Sequence, residues 1–174
     1  MGKWYQKVNM DAKAAYYLTL SEKISEPLDF GDDWDAVIRK SINLCWEWVE
    51  AKMHDSYAMY DELADEDEGF YVLSTLDGVF QDDLQAESVY WCLFFAVSYT
   101  LKQALIFENK EHHGPQELKS VNDDSTYIQF MEEIKKTDGY QEEWSGRLKE
   151  HLLKNYPGGS DKQIKREELL ALIV

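Results

Sequence analysis

The chain has 174 residues, 34 acidic and 18 basic side chains and a formal net charge of −16. That length suits one domain on one core, and 44% apolar with 14% aromatic residues is more burial material than a disordered acidic tail carries. The charge argues against DNA, RNA or anionic lipid as partner, because phosphate binding draws on Lys and Arg that release counterions. A basic protein is the natural complement.

The longest uncharged stretch, Ser88–Leu101, is shorter than the roughly 20 apolar residues that cross a bilayer. The N-terminal MGKWYQKVNM has no apolar signal region, and Gln6 stands where a myristoylation signal wants Ser or Thr. The expected location is the cytoplasm. Cys45 and Cys92 each sit in an apolar run beside a tryptophan and read as reduced core residues.

Pro27, Pro115 and Pro157 each lie near glycines, with few breakers between them, which is the punctuation of a helical protein. The expected fold is all-α: a single-domain bundle around a buried central helix at about 83–108, with 158–174 as a C-terminal helical tail after a domain of 1–157. The first helix runs from about Asp11 to Ser25, behind the N-cap Asn9 and the staple residue Val8, and turns Ala14, Tyr17, Leu18, Ser21 and Ile24 to one side. FGDD then makes a turn and gives an acidic start to a second helix, about Trp34–Lys52. Its inward face is Trp34, Val37, Ile38, Ser41, Cys45, Trp48 and Val49. Trp46 falls about 100° from the centre of that stripe and is expected on the flank.

A short third helix starts after Asp55 or Ser56 and carries Tyr57, Tyr60 and Leu63 into ADEDEG. Residues 70–80 are ambiguous: Phe70, Leu73 and Leu76 keep a helical spacing, whereas Asp77-Gly78 between apolar runs signals a hairpin. A short helix and a turn is the preferred reading. VYWCLFFAV is apolar on every side of the wheel, so the helix from Asp83 to about Glu108 should be surrounded by the others. Two amphipathic helices follow, Asp124–Lys136 with Tyr127, Ile128, Met131 and Ile134, and Gln141–Asn155 with Trp144, Leu148, His151 and Leu152. Ser160-Asp161-Lys162-Gln163 is expected to open a last helix ending in LLALIV, whose docking place the periodicity does not define.

The acidic cluster Asp61, Glu62, Asp65, Glu66, Asp67 and Glu68 is the candidate binding surface. A calcium loop with Gly69 at its sixth position would have Ala64 and Thr75 at its ends, and neither suits. As a surface for a cationic partner the cluster gains from Tyr57 and Tyr60 at its edge, and Trp46 joins them as a flank aromatic, since interfaces favour such anchors. His54, His112, His113 and His151 show neither Glu-x-x-His nor His-Glu-x-x-His spacing, so no metal or other cofactor is expected. Phosphate loop, nucleophile elbow and dinucleotide fingerprint are missing, and the chain does not read as an enzyme.

AYYLTLSEK (15–23), CWEWVE (45–50), YDELADEDEG (60–69), WCLFFAVSYT (91–100) and EEWSGRLKEHLLKNY (142–156) together resemble the sixth family of immunity proteins from bacterial polymorphic toxin systems. The resemblance runs from about Val8 to Tyr156 and leaves out the tail. It implies a mostly α-helical protein, encoded beside a secreted toxin, that binds and inactivates the toxin domain. Nucleases are commonly basic for their phosphate substrates, so a nuclease-type toxin domain is the expected partner, met by stoichiometric occlusion. The alternatives are an acidic helical adaptor or scaffold for another cellular protein, and an enzyme whose machinery the motifs do not show.

Overall fold

The computed structural model describes residues 2–76, 79–80 and 83–174. Among them are seven α-helices and no strand: α1 (Met10–Ser25), α2 (Asp32–Ala51), α3 (Ser56–Leu63), α4 (Leu84–Phe107), α5 (Asp123–Ile134), α6 (Glu142–Asn155) and α7 (Arg166–Ala171). Four of them start on a side chain that accepts an otherwise orphaned N–H: Asn9 from Ala12, Asp55 from Ala58, Asp83 from Gln85 and Ala86, and Asn122 from Ser125. Each such cap stabilises its helix by about 1 kcal/mol. Tyr71–Thr75 is a 3-10 turn, the short-helix alternative for this stretch. The Asp77-Gly78 pair that signalled a hairpin lies outside the described residues.

The expected central helix is α4, which packs most extensively on α1 and α5 and also meets α2 and α3. By length and composition alone α4 could cross a membrane, but 78% of its apolar window is buried inside the protein, as in a core helix. Its enclosure is incomplete on one stripe, Trp91, Phe94 and Phe95, which is half-buried. α1 is more enclosed than its one-sided reading implied. Every residue from Ala14 to Ser21 is buried, because α1 meets α2, α6 and α7 in addition to α4. Several hydroxyls of the tyrosine-rich core this creates are hydrogen-bonded, which offsets the cost of burying them, whereas the buried Tyr156 hydroxyl has no partner among the described residues. Tyr16 bonds Ser145 at 2.6 Å, Tyr99 donates to Asp123 at 2.6 Å and Tyr5 donates to Asp124 at 2.7 Å.

Cys45 and Cys92 are both buried free thiols. Burial pushes the Cys45 thiol up to about 12 and raises that of Cys92 as well, so neither is a ready thiolate.

Three expectations are corrected by tertiary packing. On α5 the buried positions are Thr126, Phe130 and Ile134, while Ile128 is 57% exposed. The wheel is rotated because Phe130 seats against Tyr17, ring centroids 4.9 Å apart. The last helix begins at Arg166 and not at the Ser160 box. Residues 161–165 are non-helical, with Ile164 fully buried, Gln163 donating to the Glu50 carbonyl and the Glu50 carboxylate accepting the Arg166 N–H at 3.1 Å.

Trp46 is the third. It is 1% exposed and lies on no flank, because the segment the sequence could not dock folds over it. The Arg166 guanidinium carbon lies 5.9 Å from the Trp46 ring centroid, and Glu22 accepts both the Trp46 indole N–H at 2.9 Å and the Arg166 Nε–H at 3.1 Å. Ile164, Leu169 and Ile173 of the same segment are buried in the hydrophobic core.

Candidate functional site

The site expected from sequence is carried by α3 and the turn that follows it. An eight-residue helix is too short to persist by itself, and the structure clamps α3 at its start. The Glu108 carboxylate, at the end of α4, accepts the Ser56 N–H at 3.0 and 3.1 Å and the Ser56 hydroxyl. Ser56, Met59 and Leu63 face inward. Tyr57 is left 43% exposed, with the Lys110 ammonium 4.4 Å from its ring centroid.

The acidic turn is ordered by its own chemistry. Asp65 Oδ1 accepts the N–H groups of Asp67 and Glu68 at 2.9 and 2.8 Å, and those two bonds hold the Asp65 carboxyl below the usual aspartate value. A Cβ on Gly69 would lie 2.6 Å from the Asp65 backbone nitrogen and oxygen and from the Leu63 carbonyl oxygen, so only glycine closes this turn without moving backbone. Glu62 pairs with Lys40 of α2 at 2.7 Å, which ties the turn to the bundle. Asp61, Glu66, Asp67 and Glu68 remain exposed, and among the described residues none of the four forms an ion pair.

Of the expected contact residues, Tyr57, Tyr60, Asp61, Glu62, Asp65, Glu66, Asp67 and Glu68 thus share one short segment, within which Asp65 and Glu62 have structural duties. Trp46 is enclosed elsewhere and presents no surface.

Two neighbouring features were not singled out in the sequence. Beside Tyr60 lies an apolar groove of ≈320 Å³, walled by Tyr60, Tyr71, Phe94, Leu118 and Val121. On the other side a shallower cleft of ≈510 Å³ brings Trp34 and Asp33 of α2 to Asp67 and Glu68. Of the half-buried stripe Trp91, Phe94 and Phe95 on α4 only Phe94 enters the groove, whose other walls come from α3, the 3-10 turn and the loop before α5, so helical spacing did not mark it. No periodicity could have brought Trp34 to the acidic turn, because they are neighbours only through tertiary packing.

Among the described residues no group of three or more His, Cys, Asp or Glu side chains is arranged to hold a metal ion. His112 and His113 lie exposed in a 3-10 turn, and His151 Nε2 stands 3.0 Å from Glu168 Oε1. The arrangement offers surface chemistry: fixed carboxylates beside an aromatic groove.

A family model described as immunity protein Imm6 matches residues 12–137, a span that holds most of α1, all of α2 to α5 and the whole acidic turn. No curated protein and no solved structure matches the chain.

Proposed function

This chain belongs to the Imm6 immunity protein family, which implies protection against a toxin, and from that premise we propose that it neutralises a cognate toxin domain by stoichiometric binding in the cytoplasm, without catalysis of its own. The domain it binds is basic and of the nuclease type. Contact is made through Tyr57, Tyr60 and the acidic turn.

The observation that carries this reading is the state of the carboxylates. Asp61, Glu66, Asp67 and Glu68 are held out by a capped turn on a clamped helix and, among the described residues, form no ion pair, Lys40 being engaged by Glu62, in a chain of net charge −16. Charges spent in internal pairs would stabilise the fold a little. Left unpaired, they steer a basic partner and raise the association rate. Tyr57 and Tyr60 add the amphipathic contact area that anchors such an encounter, and a cover of this kind laid over a nuclease channel excludes phosphate by the same field.

The test is association kinetics with the toxin domain encoded beside this protein, for the variant Asp61→Asn, Glu66→Gln, Asp67→Asn, Glu68→Gln. Asp65 is spared because it builds the turn. The variant should associate at least about 10-fold more slowly at low salt and lose most of its salt dependence, with its melting temperature unchanged. An unaltered rate at low salt would place the interface on another face.

A further inference from the structure

We infer, resting on the reading above, that the apolar groove beside the acidic turn seats one aromatic or long aliphatic side chain of the cognate toxin domain, and that a Lys or Arg next to that side chain meets the groove's acidic edge. The groove's ≈320 Å³ is at the lower end of the range of sites that hold a small ligand, about 300–1,000 Å³, which suits a single anchoring side chain.

Its walls are finished before any partner arrives. The Tyr71 hydroxyl is already hydrogen-bonded to Ser98 at 2.8 Å, and its ring stands edge to face with Phe94, centroids 5.4 Å apart. The wall therefore presents carbon, and filling it desolvates few polar groups. Tyr60 and Ala64 line the groove and alternate in the chain with Asp61 and Asp65 at the acidic turn, while Glu117 stands in the lining beside Leu118.

Charge decides which occupant fits. A second copy would bring another −16 and a second acidic edge against the first, and like charges placed together across an interface cost several kcal/mol. A basic protein surface with an apolar residue at its centre has the complementary pattern, with the anchor in the dry middle and charges at the rim. The acidic turn and the groove then act on different rates: the turn governs encounter and the groove governs residence.

Two substitutions from different elements fill the groove, Thr75→Trp from the exposed end of the 3-10 turn and Val121→Trp from the loop before α5. Binding kinetics of the catalytically inactivated toxin domain would be recorded on both, on the fourfold acid variant and on the unaltered protein, after thermal melts have shown which variants fold. A folded Trp variant is expected to dissociate about 30-fold faster or more, the hot-spot range, with its association rate and salt dependence unchanged. Folded Trp variants that dissociate like the unaltered protein overturn the groove assignment, and a slowed fourfold variant in the same experiment shows that the acidic-face reading survives it. Faster dissociation from the Trp variants with an unchanged fourfold variant gives the converse. A dimer of the free protein that Thr75→Trp abolishes would assign the groove to a second copy and overturn the inference.

Discussion

Trp46 and Trp48 sit two residues apart on α2, and a helical wheel separates them into a flank residue and a core residue. The structure gives them one fate, each 1% exposed, for different reasons. Trp48 lies on the face toward the bundle, its ring edge-on to Phe107 with centroids 6.1 Å apart and the Lys52 ammonium 4.3 Å from its own centroid. Trp46 is closed over by Arg166, 120 positions away, with Glu22 of α1 accepting its indole N–H. Trp46→Ala and Trp48→Ala should therefore each cost about 3–5 kcal/mol, a large part of a domain's stability. Urea melts decide it: a Trp46 variant that unfolds at the unaltered midpoint would contradict the enclosure by Arg166 and Glu22. The wheel could not show this, since it reports only which side of one helix is apolar. A flank position becomes core when another segment supplies a partner for the indole N–H, and that partner is invisible to local periodicity.

At the scale of elements, α7 is where sequence reading stopped. Its six residues cannot persist as an isolated helix, and its docking depends on a pair 144 positions apart. Arg166 meets Glu22 through Nε at 3.1 Å and Nη2 at 2.5 Å, with Nη1 on Asn43 at 2.8 Å. Arg166→Ala should cost about 1–3 kcal/mol, the range for charge-assisted hydrogen bonds lost at a partly buried site, and should raise amide exchange through Arg166–Ala171 before the rest of the fold. Exchange that stays as protected as in α4 would show that Ile164, Leu169 and Ile173 hold the segment without the arginine. The contrast with α1, α3 and α4 explains what was legible. Asn9, Asp55 and Asp83 are polar residues at the starts of apolar runs, so those boundaries are written locally. The α5 face, the late start of α7 and the groove beside Tyr60 depend on which element arrives opposite. The acidic turn was legible as composition, but the division of labour within it was not: that Asp65 caps the turn and Glu62 holds Lys40 follows only from geometry.

For the whole molecule, family and charge each contribute a separate part of the account. The Imm6 match across residues 12–137 gives a toxin as the class of partner, and the net charge of −16 with its tyrosine-edged acidic turn is the surface that the proposed basic toxin domain would meet. Occupancy has a signature that catalysis lacks, because an inhibitor that works by binding is consumed one for one with what it silences. The most direct measurement is a titration of this protein into a fixed amount of its cognate toxin domain, following toxin activity and then the toxin's mass after denaturing separation. Activity should fall linearly to zero at a fixed molar ratio, and the toxin should be recovered with its mass unchanged and its activity restored on refolding. Silencing by a small fraction of an equivalent, or recovery of a cleaved or modified toxin, would contradict protection by binding.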